Sequence, residues 1–275
     1  MIRVIAVNYF TSGIVPEFVE SFVKQDFEEW EIYIVDNSEN TEELQKLSEL
    51  TLDDRVTIID SQKNRGFLGA SAYCYNNFIT HKMEKKDLVV ISNLDLQLGS
   101  SQELSKIIEC NNTYDNVGVF APDIVSVKRN DHQNPMLNSR PSKRAMQLRK
   151  LMFHNTLTTQ LVTTADIYSA PIRDKFKKDT TTLEERSIYA AHGSFMIITE
   201  AFFAKGGTLD YKIFLFDEEI FIAEQCRKLD LLVKFIPSVK IVHISNATFG
   251  TKRSKKVLQS KVDATQESFK TLFQN

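Results

Sequence analysis

Carboxylates follow two apolar runs in the first hundred residues. Leu88-Val89-Val90-Ile91 is followed by Ser92-Asn93-Leu94-Asp95, and Ile34-Val35 is followed by Asp36-Asn37-Ser38. Open α/β sheets bind ligands at the carboxyl ends of buried strands. Asp95 would therefore offer a hard oxygen ligand to Mg²⁺ or Mn²⁺ bridging phosphates, and Asp36 would accept hydrogen bonds from a nucleotide. The alternative for Asp95 is that it caps the next turn.

A glycine-containing turn follows the third apolar run. In Asn64-Arg65-Gly66-Phe67-Leu68-Gly69, the glycines let backbone N–H groups approach a ligand, and Arg65 could pair with a phosphate. A helix-opening turn also needs glycine for purely conformational reasons. The first apolar run ends at Val7-Asn8-Tyr9 and lacks G-x-G-x-x-G, which argues against an NAD enzyme and the usual nucleotide-methyltransferase pattern.

Three consecutive acids, Asp217-Glu218-Glu219, lie within the apolar segment Phe214–Glu224. Partial burial would raise the pKa of one of them toward the value that a general base needs. The alternative is a first helical turn whose acids favour the helix dipole. His243 follows a strand-like run from Pro237, and it is either a satisfied polar residue or a metal ligand that returns toward Asp95.

Alternating strands and helices must position these side chains. The expected strands are Arg3–Val7, Glu31–Val35, Arg55–Ile59, Leu88–Ile91 and Val117–Phe120, separated by helical patterns at Gly13–Lys24, Thr41–Leu50, Gly69–His81 and Ser100–Cys110. This order predicts βαβ units and a largely parallel sheet. After Ser126 the pattern changes, with a helical stretch at Arg144–Val162, strands at Ser194–Ile198, Leu232–Ile236 and Lys240–His243, a helix from Thr199, and a basic helical tail from Ser254.

Size and composition fit one large α/β domain with an appendage. The chain has 275 residues, 42% hydrophobic and 25% charged, with a formal net charge of −2. No apolar run approaches the ~20 residues that span a bilayer, and the N-terminus is typical of a first strand, which favours the cytosol. Three cysteines without metal-like spacing argue against a disulfide framework or a zinc site.

Positive charge is concentrated in two segments. Residues 126–178 contain eleven Lys and Arg against three Asp, and residues 251–275 contain six against two acids. Arg144–Val162 is weakly amphipathic, so the basic segments are compatible with an anionic membrane surface. The alternatives are a solvated loop with incidental charge, or a helix that packs on its own domain.

Taken in order, these motifs resemble those of inverting family-2 glycosyltransferases of the GT-A fold, especially bacterial rhamnosyltransferase-like enzymes of surface-polysaccharide assembly. The resemblance covers about Arg3–Val125 and Tyr189–Gly250, and it includes His192-Gly193-Ser194-Phe195 besides the stretches above. It implies a single mixed, mostly parallel sheet flanked by helices, with a basic helical insertion. The implied units are a domain over 1–250, with halves 1–125 and 188–250 around an insertion at 126–187, and a basic C-terminal helix at 251–275.

The resemblance also implies roles for the residues. Asp36 would recognise a uracil or thymine, with Asn8, Tyr9 and Asn37 beside it. The diphosphate side would be lined by Arg65, Gly66 and Gly69, and Asn93-Leu94-Asp95 would replace the family's D-x-D. Asp95 and His243 would hold Mg²⁺ or Mn²⁺, and Glu219 would be the base. Asn93 replaces the first acid of D-x-D, and the adjacent Asp217 and Glu218 leave a one-residue uncertainty in the base.

The expected reaction moves a sugar from a dTDP- or UDP-linked donor to a hydroxyl of a glycan or lipid-linked oligosaccharide. A peripheral position at the inner face of the cell membrane is compatible with it; a nucleic-acid partner is not expected, and oligomerisation is left open. A sugar-nucleotidyltransferase is a second hypothesis, although Asn8–Gly13 lacks the Gly-rich basic loop usual in those enzymes. A non-catalytic carbohydrate-binding module is a third.

Overall fold

We describe residues 1–176, 183–244 and 254–274 of a computed structural model of the chain. Within them, ten strands form one sheet. They are β1 (Ile2–Asn8), β2 (Trp30–Asp36), β3 (Val56–Asp60), β4 (Leu88–Asn93), β5 (Leu96–Leu98), β6 (Val117–Ser126), β7 (Asp131–His132), β8 (Arg186–Ile188), β9 (Phe195–Thr199) and β10 (Leu232–His243).

The order of strands across the sheet is β3-β2-β1-β4-β9-β6-β10-β5, with β7 paired to β6 and β8 to β10. The ladders among β3, β2, β1 and β4 are parallel, as is the ladder between β6 and β10. β9 lies antiparallel between β4 and β6. One end of the sheet therefore contains the carboxyl ends of β1, β2, β4 and β6 together with the beginning of β9.

Nine helices flank the sheet in the described residues. They are α1 (Val15–Val23), α2 (Thr41–Ser48), α3 (Phe67–Cys74), α4 (Glu103–Thr113), α5 (Lys143–Met152), α6 (Thr156–Phe176), α7 (Glu200–Ala204), α8 (Glu218–Lys228) and α9 (Lys255–Phe273). Side-chain oxygens cap several of them: Asn40, Ser142 and Ser254 accept from the backbone N–H three residues ahead at the starts of α2, α5 and α9. A π-helical turn at Tyr75–Ile79 extends α3.

Both faces of the sheet are buried, which explains why its inner strands are apolar without alternation. Alternate residues of one strand enter different cores: Ile2 and Val4 of β1 face one, and Ile5 faces the other. The predicted α/β class, with one mixed sheet flanked by helices, is confirmed.

Three expectations for single elements need correction. The helical pattern at Arg144–Val162 is two helices, because α5 ends at Met152 and α6 begins at Thr156. The two strands expected at Leu232–Ile236 and Lys240–His243 are one strand, β10, whose pairing with β6 shifts register between Ile236 and Lys240. The short strands β5, β7 and β8 were not expected.

Helix α9 packs against α5, α6 and α8. Its side of the contact includes Phe269 and Leu272, which meet Met146 of α5 and Ile220 of α8 in a small separate core. The boundary expected between residues 250 and 251 lies outside the described residues. No helix in the described part of the chain is long and apolar enough to cross a membrane.

Candidate active site

Asp36 and Asn8 lie at the ends of neighbouring parallel strands and are paired in register. Asn8 Nδ2 donates to Asp36 Oδ1 at 2.9 Å, and Ser38 Oγ donates to Asp36 Oδ2 at 2.9 Å. The three side chains are buried. Because a carboxylate oxygen accepts up to two hydrogen bonds, Asp36 Oδ2 is held in place with accepting capacity left.

Glu43 of α2 belongs to this network, although the sequence analysis missed it. Its Oε1 accepts from Asn8 Nδ2 at 3.2 Å and from the Ser12 backbone N–H at 2.9 Å. Burial alone would raise the pKa of Glu43, but these hydrogen bonds outweigh it and hold the pKa below its usual value. Asn40 and Glu43 have capping-box spacing, so in the sequence Glu43 has the pattern of a helix start and gives no sign of a site.

Asn37 shapes the glycine turn. Its Oδ1 accepts from the Arg65 N–H at 2.8 Å, and its Nδ2 donates to the Gly66 carbonyl at 3.2 Å. Gly66 has φ 76°, and a Cβ there would lie 1.8 Å from the Phe214 carbonyl oxygen. Only glycine therefore fits where this turn meets the segment before α8.

The Arg65 guanidinium is held beside an aromatic ring. Its Nε donates to the Ser61 carbonyl at 3.0 Å, and its Cζ lies 4.2 Å from the centre of the Tyr73 ring. Gly69 lies one turn into α3, where a Cβ would lie 3.3 Å from Arg65 Cβ. Tyr9, directly after β1, is half-exposed and stands edge-on to Phe10, with ring centres 5.0 Å apart.

Asp95 and His243 come together although 148 positions separate them. His243 Nε2 lies 3.1 Å from Asp95 Oδ2, and His243 Nδ1 lies 2.7 Å from Gln133 Oε1. All three side chains are buried. The two ring nitrogens of His243 thus face an amide oxygen on one side and a carboxylate on the other.

This pair fits a divalent cation. A carboxylate and an imidazole are both ligands of Mn²⁺-like ions, and magnesium-type sites take one or two protein ligands while substrate phosphates and water supply the rest. The residues described here contain no group of three or more His, Cys, Asp or Glu side chains placed to hold a metal. In such a site, oxygens of a bound diphosphate would supply further ligands beside Asp95 and His243. Asn93 lies at the end of β4, where its N–H donates to the Ser194 carbonyl at 2.9 Å.

Asp217 is surrounded by cations and donors from other helices. It forms an ion pair with Arg149 of α5 and lies 3.7 Å from Lys261 Nζ of α9, and Ser268 Oγ donates to its Oδ2 at 2.8 Å. Burial would raise the pKa of Asp217, but Lys261 and Arg149 hold it below its usual range. Asp217 therefore stays ionised and connects α8 to α5 and α9, and we assign it no role as proton acceptor.

Glu218 and Glu219 are different. Burial and the neighbouring Glu219 raise the pKa of Glu218 to about 8, and its Oε1 accepts from the Phe216 N–H at 3.0 Å. Burial also raises the pKa of Glu219, although Lys261 and the Gly193 N–H favour its ionised form. Glu218 is buried, whereas Glu219 is partly exposed. Of the two, Glu219 is the acid that a ligand can reach.

The segment from His192 to Ser194 connects the end of β4 with these acids. Gly193 N–H donates to Glu219 Oε1 at 3.2 Å, while the Ser194 carbonyl accepts from Asn93. A Cβ on Gly193 would lie 2.7 Å from Glu219 Oε1, so glycine permits this close approach. One short segment thus fixes the distance between the end of β4 and the Glu219 carboxylate.

Comparisons with known proteins identify the family of this chain. A family model described as "Glycosyl transferase family 2" matches residues 3–162, a range that includes Asp36 and Asp95 but not Glu219 or His243. A search of curated protein sequences finds no match.

Two solved structures share the fold. GalNAc-T7 with UDP, GalNAc and Mn²⁺ superposes with a TM-score of 0.61 at 14% identity, over 97% of this chain and 47% of that one. The mannosyltransferase PcManGT from Pyrobaculum calidifontis, with GDP-Man and Mn²⁺, gives 0.51 at 13% identity, over 98% of this chain and 72% of that one. The chain thus spans about half the length of GalNAc-T7, and the expected GT-A fold is confirmed.

Proposed function

This chain belongs to glycosyl transferase family 2, and we propose that it transfers a sugar from a nucleoside-diphosphate sugar to an acceptor hydroxyl with inversion at the anomeric carbon. One observation carries the proposal. The Gly193–Ser194 segment joins the strand that leads to Asp95 to the Glu219 carboxylate, through hydrogen bonds to Glu219 Oε1 and from Asn93. A diphosphate ligand and a proton acceptor would then face one sugar from two sides.

Donor binding is assigned to the edge formed by β1, β2 and β4. Asp36 Oδ2 would accept from a base N–H, and the exposed Tyr9 ring would lie beside the nucleoside. Arg65 and the Gly66–Gly69 turn would face the diphosphate, with the backbone N–H groups at the start of α3 favouring negative charge. We propose a dTDP- or UDP-linked donor, as the resemblance to rhamnosyltransferase-like enzymes implies.

Asp95 and His243 would hold a divalent cation. Mg²⁺ or Mn²⁺ bound there would offset the negative charge that develops on the leaving diphosphate. The structures of GalNAc-T7 and PcManGT both contain Mn²⁺, which supports the choice of a divalent ion.

Glu219 would act as the general base. Its carboxylate takes the proton of the acceptor hydroxyl while that oxygen attacks the anomeric carbon from the face opposite the diphosphate. A single displacement inverts the anomeric centre without a covalent enzyme intermediate. A raised pKa brings the basicity of Glu219 closer to neutral pH, where proton transfer from a hydroxyl is most effective.

We propose a glycan or a lipid-linked oligosaccharide as acceptor, in bacterial surface-polysaccharide assembly at the inner face of the cell membrane. The basic residues between 126 and 178 support this assignment, because positive charge favours contact with an anionic membrane surface. This assignment extends the family membership to a particular substrate and place.

A screen of nucleotide sugars by thermal shift, with and without Mn²⁺, tests the proposal, because a ligand that binds the native state raises its melting temperature. We expect dTDP- or UDP-sugars to stabilise the protein only when Mn²⁺ is present, and we expect product NMR to show inverted anomeric configuration. Asp36→Asn should lose the shift. Asp60→Asn, at the exposed end of β3, is the matched control.

Two results would contradict the proposal. Pyrophosphate release from a nucleoside triphosphate and a sugar phosphate would assign the chain to the sugar-nucleotidyltransferases. Glycan binding without donor hydrolysis in any metal would assign it to the binding modules.

A further inference from the structure

Helices α5 and α6, which three residues connect, expose large apolar side chains that the proposed reaction does not use. We call the leucine face the exposed apolar side chains of these two helices, which are Leu148, Leu151, Leu157, Leu161 and Tyr168. Each is between 59% and 78% exposed. Large apolar side chains this exposed are ordinary when scattered singly, but a grouped set marks an interaction surface.

Helix α6 exposes its apolar side chains and buries polar ones, the opposite of an ordinary surface helix. Leu157, Leu161 and Tyr168 follow one another at spacings of four and seven, so they share one stripe of the helix. The opposite side buries Thr159 and Thr163. Thr163 Oγ1 donates to the Thr159 carbonyl at 2.6 Å, so the buried face satisfies its polar groups within the helix. The apolar stripe of α6 is therefore the side that faces away from the protein.

The charges around the leucine face are mostly positive. Residues 132–168 contain five Lys and Arg and one acid, the exposed Asp166. Arg144 lies on the exposed side of α5, at helical spacings of four and seven from Leu148 and Leu151. Lys143 and Lys150 are also exposed.

This charge pattern distinguishes between two occupants of the face. In a twofold dimer the same patch lies on both copies, so each Arg144 would approach like charges across the interface. An anionic lipid surface supplies the complementary charge, and its acyl boundary accepts the leucines. We propose that the leucine face docks on an anionic phospholipid surface.

Helix α5 connects the leucine face with the proposed active site. The same helix that exposes Leu148 and Leu151 places Arg149 on Asp217, the residue directly before Glu218 and Glu219. A helix resting on a membrane would thus hold the base segment next to that surface. The inference deepens the proposed function and rests on it only for the lipid-linked acceptor.

Co-sedimentation of the full chain with vesicles tests the docking. We expect binding to phosphatidylcholine vesicles that contain phosphatidylglycerol, reversed by salt, and weak binding to phosphatidylcholine alone. Leu157→Gln/Leu161→Gln should lower the partition coefficient about tenfold, because two apolar side chains no longer enter the boundary. Leu183→Gln/Leu232→Gln, at exposed leucines elsewhere, is the matched control and should bind like the wild type.

Three results would overturn the docking. The first is that Leu157→Gln/Leu161→Gln binds vesicles like the wild type, and the second is that the wild type binds both vesicle types equally. The third is that the wild type does not bind vesicles but forms a dimer, which Leu157→Gln/Leu161→Gln dissociates. The last would assign the face to a second copy. Donor hydrolysis without vesicles separates the two proposals: hydrolysis without vesicle binding rejects only the docking, whereas vesicle binding without hydrolysis rejects only the glycosyl transfer.

Discussion

The two acidic regions of this site are built in opposite ways. Around Asp36, the hydrogen-bond donors are neutral groups of Asn8, Ser12 and Ser38, and the acids Asp36 and Glu43 are separated by the amide of Asn8. Around Glu219, three acids are consecutive, and the charges that offset them come from Arg149 and Lys261 on α5 and α9.

Under the proposed function, this difference separates donor binding from proton transfer. Hydrogen bonds from neutral groups hold the pKa of Glu43 below its usual value, so the first region keeps an ionised acceptor. Crowded and buried acids share their ionisation, so one of them keeps a raised pKa, as a base must. The second region therefore depends on distant helices for its charge balance, and the first depends only on its neighbours.

The sharpest test of this difference is Glu219→Gln. The amide keeps an oxygen to accept from Gly193 but cannot take a proton, so we expect kcat to fall about 1000-fold with little change in donor affinity. Initial-rate kinetics and calorimetric titration of the donor measure the two effects. Glu218→Gln is the control and should lose much less; the reverse order would move the base to Glu218.

The next largest effect is expected for Asp95→Asn. Removing the only carboxylate of the Asp95–His243 pair should weaken Mn²⁺-dependent donor binding about 100-fold, since a buried anionic ligand of the cation is lost. Calorimetric titration of the nucleotide with and without Mn²⁺ measures it. Asp60→Asn, also at a strand end but exposed, should titrate like the wild type. Equal Mn²⁺ dependence in Asp95→Asn would exclude the residue as a ligand.

Dependence on distant helices is tested by Arg149→Met. It leaves Asp217 buried without one of its two cations, and we expect the free energy of unfolding in urea to fall by about 2 kcal/mol, less than for a fully buried pair because Arg149 is partly exposed. Arg149→Met/Asp217→Asn should recover much of that loss. A double variant as unstable as the single one would show that packing, rather than charge, is what Arg149 contributes.

The last effect concerns pH, and it is the smallest when it is measured over one pH unit. Because the pKa of Glu218 is raised from its usual value to about 8 in the folded protein, the native state binds more protons than the unfolded state between those values. This contribution to stability is complete below pH ~4.5 and is lost as the pH rises toward 8.

We therefore expect the free energy of unfolding of the wild type to fall with rising pH in that window, relative to Glu218→Gln, by roughly 1 kcal/mol per pH unit. Urea unfolding of both proteins at a series of pH values measures the difference. Parallel curves would mean that Glu218 is ionised in the folded protein.

The first half of the fold could be predicted because its signals are local. The runs Leu88–Ile91 and Ile32–Val35 are apolar without alternation, and strands buried on both faces have that pattern. β9 is also an apolar run, but its antiparallel place between β4 and β6 depends on contacts far apart in the chain. The continuity of β10 depends on its pairing with β6, which no short pattern encodes.

For the site, the sequence predicted residues that follow strands and the consecutive acids before α8, and it missed residues that reach the site from other segments. Asp36 and Asp95 have the signal of a strand end. Glu43 is masked by its capping spacing, and Gln133 and Lys261 lie in polar or basic stretches without a distinguishing pattern. Their roles follow from contacts with Asn8, His243 and Asp217, and such contacts exist only in the folded chain.

The antiparallel course of β9 has a consequence for how this enzyme could diversify. The chain leaves β6 at Ser126 and returns as β9 at Phe195, and the described part of this excursion adds the short strands β7 and β8, which pair with β6 and β10. Residues could be added to or removed from that excursion without shifting the registers of β4, β6 and β9. New acceptors could then be acquired there by insertion, while the donor-side residues inherited with the family stay unchanged.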